Sequence, residues 1–227
     1  MTLPADAFAP TPFDRQALAL ALDWGRRAQR LCPPNPAVGC TLWQQGRLVG
    51  AGHTQETGGP HAEVMAMRDA RERGESLKGA TAYVTLEPCS HFGRTPPCAD
   101  GLIQAGVARV VVALLDPNPL VAGQGVQRLQ AAGIQVDVLV RHDELAEQAW
   151  LDNIGFFSRM VRKRPWVRMK MAGSLDGRTA LDNGNSQWIT GEAARLDGRQ
   201  WRARAGAVLT GIGTVLDDNP RMDVRGV

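Results

Sequence analysis

Apolar residues recur along the first part of the chain with the spacing of a helix and then of a hairpin. Leu18 and Leu22 lie four positions apart, which predicts a helix that begins near Asp14 and ends before the first proline pair. Two apolar runs follow, Ala37–Trp43 and Arg47–His53, and the Gln-Gln-Gly sequence between them is typical of a turn. This part of the chain therefore predicts a helix followed by a β-hairpin.

Helical and extended patterns alternate after the hairpin. The run VVVALL has no polar residue, as expected of a central strand in a parallel sheet. The predicted helices are His61 to about Arg73, Ala99–Ala105, Val126–Ala132 and His142–Arg159, and the predicted strands are Ala80–Leu86, Val107–Leu115 and Ile134–Val140. Strands that alternate with helices predict a three-layer α/β sandwich.

A basic segment without periodicity, Val161–Pro165, predicts a boundary between two domains. We expect a first domain over residues 1–160 and a second over residues 165–227. The second part holds only about 60 residues, too few for an independent nucleotide-binding α/β domain, so it is either an incomplete domain or an accessory lobe. Its predicted elements are strands at Trp166–Met171 and Ala207–Thr210 and a helix at Gly191–Arg204.

Composition narrows the functional classes. Hydrophobic residues make up 44% and charged residues 22% of the chain, a balance that supports a sizeable core and argues against global disorder. A net charge of only +3 and a single tyrosine argue against a dedicated nucleic-acid binder. No apolar run is long enough to span a membrane, and the N-terminus carries acids and prolines where a signal peptide has a basic start. We therefore expect a cytoplasmic protein without a membrane partner.

Four cysteines in a reducing compartment are poor disulfide candidates, so a clustered pair indicates metal ligands or reactive thiols. His61-Ala62-Glu63 precedes Pro88-Cys89 and, after eight intervening residues, Cys98; this order matches the signature of zinc deaminases. One imidazole and two thiolates give zinc three protein ligands and leave the fourth position for water, which is the catalytic arrangement. We expect one Zn²⁺ per chain, held by His61, Cys89 and Cys98.

Glu63 is the expected catalytic residue. Bound zinc lowers the pKa of its water to roughly 7, and the Glu63 carboxylate would carry the released proton to the ring nitrogen and the leaving amine. Residues two apart do not share a helix face, so His61 and Glu63 both reach the metal only at the N-terminal end of a helix. Each cysteine is also expected to precede a helix start, where backbone N–H groups favour a thiolate.

Each part of this pattern also has a plainer explanation. A histidine and a glutamate two residues apart are common, and two cysteines at this spacing are often small buried side chains. Their combination, with Pro88 after the end of a predicted strand, favours the catalytic metal site. Of the other two cysteines, Cys40 is expected in the core and Cys32 has no assigned role.

Seven longer motifs extend the pattern over essentially the entire chain. They are PNPAVGC at 34–40, GGPHAEV at 58–64, TLEPCSHFGRTPPC at 85–98, DPNP at 116–119, SLDGRTA at 174–180, SQWIT at 186–190 and TVLDDNP at 214–220. Together they resemble the bifunctional deaminase–reductase family of riboflavin biosynthesis. The eight-residue gap between the cysteines is the discriminating feature, since most cytidine, guanine and tRNA-adenosine deaminases resemble C-x-x-C instead.

The resemblance implies a cytidine-deaminase-like first domain that hydrolytically deaminates 2,5-diamino-6-(5-phosphoribosylamino)pyrimidin-4-one. It implies substrate contacts from Asn35, His53, His91 and Arg94. An asparagine offers a pyrimidine edge both a donor and an acceptor, and an arginine in a Gly-Arg-Thr loop suits a phosphate. Two alternatives stay open, in which Asn35 only holds a turn between prolines and Arg94 only faces solvent.

The resemblance further implies the start of a dihydrofolate-reductase-like α/β second domain, which uses NADPH to reduce the ribosyl group to ribityl. Trp188 is equally a candidate core residue. A glycine-rich segment that cradles the cofactor phosphates in the family is missing, and the lone GxG at 211–213 does not replace it, so we expect an incomplete reductase half. The implied NADPH contacts are Ala172, Trp188, Thr214 and Asp218, and the implied contacts with the phosphorylated substrate are Ser186, Arg202, Met222 and Arg225.

Three other hypotheses remain open at this point. One is a zinc deaminase of another nucleoside or of an RNA base. Another is a non-catalytic, zinc-stabilised binding module, which does not explain Glu63 or the missing fourth protein ligand. In the third, the second part of the chain serves only as a packing or dimer surface. The resemblance is also compatible with a homo-oligomer.

Overall fold

The structure, a computed structural model, describes residues 8–91, 96–118 and 122–226. The chain divides into two compact units, Met1–Trp166 and Val167–Val227. The first holds a five-stranded sheet with its helices, whereas the second holds only helices among its described residues. Within these described ranges, no helix is both long enough and apolar enough to cross a bilayer.

The first unit is built on one mixed sheet with the strand order β2-β1-β3-β4-β5. Its strands are β1 (Gly39–Gln44), β2 (Arg47–His53), β3 (Thr81–Val84), β4 (Arg109–Val112) and β5 (Gln135–Val138). Its helices are α1 (Pro12–Ala28), α2 (Ala62–Glu72), α3 (Cys98–Ala105), α4 (Gln124–Ala131), α5 (Glu144–Asp152) and α6 (Ile154–Phe157), followed by a π-helical turn at Ser158–Arg162. Strand β1 is antiparallel to β2 and to β3, whereas β3, β4 and β5 are parallel and are joined by helices.

Helices cover both faces of this sheet. Gly39 of β1 lies so close to α1 that an added Cβ would come within 1.8 Å of the Ala21 carbonyl oxygen, and Thr41 on the same face donates a hydrogen bond to the Ala17 carbonyl. On the opposite face, Gly52 of β2 allows α2 a similarly close approach. Helix α5 packs beside α1, and α2, α3 and α4 pack side by side. The predicted three-layer α/β sandwich is confirmed.

The single helix predicted over His142–Arg159 is interrupted at Asn153. The side chain of Asn153 turns inward and accepts a hydrogen bond from the Ala37 N–H at 2.7 Å. It also donates to the carbonyls of Ala37, at 3.0 Å, and of Ala149, at 3.2 Å. Because an asparagine that bonds the carbonyl four residues earlier competes with the backbone hydrogen bonds of a helix, α5 ends before this residue and the short α6 follows.

The second unit differs from the prediction in its strands. Helix α7 (Glu192–Ala203) lies within the predicted helix, and α8 (Ile212–Asp218) follows it. The two predicted strands, Trp166–Met171 and Ala207–Thr210, are absent, and Val167 and Leu209 in them are 79% and 97% exposed. An apolar run forms a strand only beside another strand that completes its hydrogen-bond ladder, and no described residue of this unit supplies one.

A buried carboxylate ties α1 to the sheet. Asp14 is 1% exposed, accepts a hydrogen bond from the Tyr83 hydroxyl of β3 at 2.8 Å and pairs with Arg109 of β4 at 2.7 Å. It also forms a capping box with Thr11 at the start of α1. Burial alone would raise the pKa of Asp14, but the contacts with Arg109 and Thr11 lower it to about 2. The ionised carboxylate is therefore part of the folded structure.

We expect Asp14→Asn to destabilise the protein by about 2 kcal/mol at neutral pH, because it removes the buried charged acceptor of Arg109 and Tyr83, although Arg109 keeps its pair with Asp137. The unfolded carboxyl has its ordinary pKa of 3.8, above the folded value. The contribution of the carboxylate is therefore complete above roughly pH 4 and is lost as the pH falls towards about 2. Urea unfolding, followed by circular dichroism at neutral pH and near pH 3, should show the difference between the two proteins shrinking on acidification.

The matched control is Asp23→Asn on the exposed side of α1. The Asp23 side chain is 61% exposed and pairs with Arg26, so its loss should change the free energy of unfolding by less than about 0.5 kcal/mol. Equal effects of the two substitutions would contradict the structural role of Asp14.

Candidate metal centre

The N-terminus of α2 presents His61 and Glu63. His61 is the N-cap residue, with extended backbone angles (φ −77°, ψ 169°), and Glu63 lies in the first turn. A hydrogen bond from the Gln55 N–H to the Pro60 carbonyl closes the preceding loop. Because the N-cap residue is outside the helical geometry, its side chain can reach the same space as that of a residue two positions later. The prediction that both residues lie at the start of a helix is confirmed.

The two cysteines come from the loop after β3 and from the start of α3. Cys98 is the first residue of α3, and its N–H donates to Cys89 Sγ at 3.3 Å. The Ala99 N–H donates to the Cys89 carbonyl at 3.2 Å, so the two segments are bonded to each other. No helix follows Cys89 as far as His91, where the described residues stop. The N–H group that favours a thiolate at Cys89 therefore comes from α3.

Three ligand atoms converge between these elements. His61 Nδ1 lies 3.6 Å from Cys89 Sγ and 3.4 Å from Cys98 Sγ, and the three atoms lie within 4.8 Å of one another. A tetrahedral zinc ion, with Zn–N of about 2.0 Å and Zn–S of about 2.3 Å, separates nitrogen and sulfur ligands by about 3.5 Å. The donor atoms and their spacing therefore fit zinc. Among the residues that the structure describes, no further His, Cys, Asp or Glu joins this group.

Glu63 is buried beside the ligand atoms. It is only 3% exposed, and it lies in the first turn of α2, two residues after His61. Burial, together with the nearby charge of Cys89, raises the pKa of Glu63 to about 7. Hydrogen bonds with Cys98 and His61 lower the pKa of Cys89 to about 4. The arrangement places a group that can exchange a proton near neutral pH next to the three candidate metal ligands.

Asn35, implied as a substrate contact, lies in a loop held from several sides. Its carbonyl accepts a hydrogen bond from the buried Cys32 thiol at 3.3 Å, which gives that cysteine a bracing role that the sequence did not suggest. The Thr54 N–H donates to the Val38 carbonyl at 3.0 Å and so joins the end of β2 to this loop. The end of β2, where His53 lies, is therefore bonded to the segment that follows Asn35.

The other three implied substrate contacts of the deaminase are His53, His91 and Arg94. His53 follows Gly52, which lies against the first turn of α2, and its ring stacks on Trp24 of α1 with a centroid distance of 6.0 Å. His91 is exposed, two residues beyond the metal-site cysteine. Arg94 lies outside the described residues. The structure thus places His53 and His91 on segments that adjoin the candidate metal centre.

Asn153 is a residue that the sequence analysis missed. Its paired hydrogen bonds with Ala37 hold the loop that carries Asn35 against the end of α5. An asparagine within an otherwise helical pattern was the available signal, but the partner lies 116 positions away in the sequence. Local spacing does not reveal such a contact.

The implied reductase residues all lie on or near the surface of the second unit, and none of the eight is buried. Trp188 is 70% exposed, so it lies outside any core of the described unit. Arg202 of α7 donates to the carbonyls of Arg221, at 3.3 Å, and of Asp223, at 2.9 Å, which holds it beside the segment that carries Met222. The remaining positions are Ala172 and Ser186 in loops, Thr214 and Asp218 on α8, and Arg225 near the C-terminus.

Comparison with known families assigns the two parts of the chain separately. Residues 12–114 match the cytidine and deoxycytidylate deaminase zinc-binding region, and residues 165–227 match the RibD C-terminal domain. Riboflavin biosynthesis protein RibD of Escherichia coli is 51% identical over 212 residues, which cover 93% of this chain and 56% of that protein. The corresponding protein of Aquifex aeolicus is 47% identical over 214 residues, with coverages of 94% and 58%. The chain therefore spans little more than half the length of these relatives.

Solved structures of similar proteins also match nearly the whole of this chain and little more than half of their own. RibD of Acinetobacter baumannii is 49% identical with a TM-score of 0.84, over 95% of this chain and 58% of that one. A Thermotoga maritima protein, described as a diaminohydroxyphosphoribosylaminopyrimidine deaminase/5-amino-6-(5-phosphoribosylamino)uracil reductase, is 40% identical with a TM-score of 0.88, over 94% and 59%. The similarity includes both parts of the chain and the His61, Cys89 and Cys98 segments. Over more than nine tenths of its length, the chain is therefore similar to RibD proteins of riboflavin biosynthesis.

Proposed function

We propose that the first unit is a zinc-dependent deaminase that hydrolyses 2,5-diamino-6-(5-phosphoribosylamino)pyrimidin-4-one to the corresponding uracil and ammonia. The observation that carries the proposal is the convergence of His61, Cys89 and Cys98 beside the buried Glu63. The substrate class rests on the family, since the Thermotoga maritima relative is described as a deaminase of this type of phosphoribosylaminopyrimidine.

In this proposal, three residues bind the metal and a fourth transfers protons. His61, Cys89 and Cys98 would hold the ion, with two thiolates and a neutral imidazole balancing its charge. Zinc in such a site supplies a Lewis acid that makes water nucleophilic near neutral pH. Glu63 would accept one proton from the attacking water and deliver it to the ring nitrogen. It would then pass the second proton, from the hydroxyl added to the ring carbon, to the amine, which leaves as ammonia while the carbonyl forms. Its burial keeps the carboxyl group away from bulk water and its pKa close to neutrality.

Four further residues would bind the substrate in this proposal. Asn35 would bond the pyrimidine edge through its amide, and Arg94 would pair with the phosphate. His53 and His91 would complete the site. The positions of Asn35 and His53 in adjoining segments, and of His91 on the Cys89 loop, support these roles.

The second unit would supply part of an NADPH-dependent reductase that converts the ribosyl group of the deaminated product to ribityl. The match of residues 165–227 to the RibD C-terminal domain supports this assignment. The proposed NADPH contacts are Ala172, Trp188, Thr214 and Asp218, and the proposed substrate contacts are Ser186, Arg202, Met222 and Arg225. Cytoplasmic location, the absence of a nucleic-acid partner and a homo-oligomeric state stay predictions.

The decisive experiment measures ammonia release by the zinc-loaded chain from the diamino pyrimidine phosphate. Cytidine and a tRNA are assayed separately as alternative substrates. We expect release from the phosphoribosyl pyrimidine alone, its loss after chelation and its return when Zn²⁺ is added. Release from cytidine or tRNA alone would support the alternative, a zinc deaminase of another nucleoside or RNA base. A zinc-loaded protein that releases ammonia from none of them would overturn the proposal.

A further inference from the structure

Glu87 is a buried carboxylate that the proposed reaction does not use. It is 4% exposed, and each of its two oxygens accepts two backbone N–H groups. Its Oε1 accepts from Gly125 at 2.9 Å and Val126 at 3.2 Å, and its Oε2 accepts from Gly123 at 2.9 Å and Asp116 at 3.1 Å. Hydrogen bonds to a charged acceptor are among the strong ones, so four of them define the position of this side chain closely.

Three of these donors belong to the start of α4. Gly123 is the N-cap residue of that helix, and Gly125 and Val126 lie in its first turn, whose N–H groups have no partner within the helix. A carboxylate there bonds free N–H groups and is favoured by the helix dipole. The backbone N–H of Glu87 also donates to the Leu114 carbonyl at 2.8 Å, just beyond β4. Glu87 therefore joins its own segment to β4 and to α4.

The same segment carries a metal-site ligand. Cys89 lies two residues after Glu87, and the intervening Pro88 is packed tightly against α4, since a Cβ added to Gly125 would come within 1.9 Å of the Pro88 carbonyl oxygen. On the far side of Cys89, the Ser90 carbonyl accepts a hydrogen bond from Arg128 of α4 at 3.4 Å. Residues 87–90 are thus attached to α4 both before and after Cys89.

We propose that Glu87 is a positioning residue for the metal centre, which fixes Cys89 Sγ at binding distance by locking residues 87–90 onto the start of α4. The inference rests on the proposed zinc site and adds to it a residue that touches neither metal nor substrate. Groups that orient metal ligands typically change metal affinity by about 10–100-fold when they are replaced. Glutamine does not reproduce the contact, because its NH₂ group would face two of the four N–H donors.

The test compares the wild-type chain, Glu87→Gln and a matched control, Asp143→Asn. Asp143 is also buried and also caps a helix, since it accepts the Leu145 N–H at 2.9 Å, but that helix is α5 on the opposite face of the sheet. Its carboxylate also pairs with Arg15 at 2.7 Å, a contact that asparagine would lose. Zinc affinity is measured by competition with a chromophoric chelator, and the ligand geometry by the absorption spectrum of the Co²⁺-substituted protein. Unfolding is followed in parallel.

We expect Glu87→Gln to weaken zinc binding about 10–100-fold and to alter the Co²⁺ spectrum, whereas Asp143→Asn lowers stability and leaves both unchanged. If Glu87→Gln does not fold, Glu87→Asp, which keeps the charge on a shorter side chain, is measured in its place with the same expectation. Wild-type affinity and spectrum in the Glu87 variant, or an equal loss in Asp143→Asn, would overturn the inference. A folded wild-type chain that binds no zinc would instead refute the proposed metal centre and this role with it.

Discussion

Replacing Glu63 with glutamine should lower kcat for deamination at least a hundredfold while leaving zinc content and the free energy of unfolding close to the wild-type values. The amide has the same shape as the carboxyl group but cannot accept and return a proton, and general acid–base catalysis contributes about 10²–10⁴-fold to rates. Glu63 is not one of the three residues that form the ligand group, so the variant should keep its zinc. Steady-state ammonia release, zinc analysis and urea unfolding of the same preparation check the three quantities.

The matched control lies at the other end of the same helix. Glu72 is the last residue of α2 and is exposed, so Glu72→Gln should leave the rate, the zinc content and the stability unchanged. Deamination at the wild-type rate by Glu63→Gln would remove Glu63 from the mechanism. Loss of zinc together with activity would show instead that Glu63 is needed to build the site.

The candidate site could be predicted to a large extent because its chemistry is encoded locally. The placement of His61 and Glu63 at a helix start follows from the fact that two residues so spaced cannot share a helix face. The cysteine pair follows from the match of the whole pattern to the zinc-deaminase signature, and its thiolate donors suit zinc. In each case the residue types themselves restrict what the site can hold, so no knowledge of distant contacts is required.

The remaining features depend on contacts between distant positions. Asn153 breaks a helix by bonding Ala37, and the four N–H donors of Glu87 lie 29 to 39 positions after it. These donors are backbone N–H groups, which every residue except proline has, so no residue type in the sequence marks them. The strand predicted at Trp166–Met171 was wrong for the related reason that an apolar run does not specify a pairing partner.

Replacing Cys98 with alanine should abolish zinc retention and with it the deaminase activity. Structural zinc sites with four ligands bind with about 10–16 kcal/mol, so one ligand corresponds to roughly 3 kcal/mol, or a more than hundredfold weaker affinity. Cys98 Sγ lies 3.4 Å from His61 Nδ1, and among the described residues the ligand group contains no fourth His, Cys, Asp or Glu. Zinc analysis after dialysis against a mild chelator, followed by ammonia release with and without added Zn²⁺, measures both effects.

Cys40→Ala separates the loss of a ligand from the loss of a buried thiol. Cys40 lies in β1, is fully buried and belongs to the core, so its replacement should lower stability while zinc content and activity persist. Added Zn²⁺ should restore chelator-treated wild type and Cys40→Ala but not Cys98→Ala. A Cys98→Ala protein that keeps one zinc ion and a normal rate would mean that the metal is held elsewhere, because two remaining ligands do not make this site.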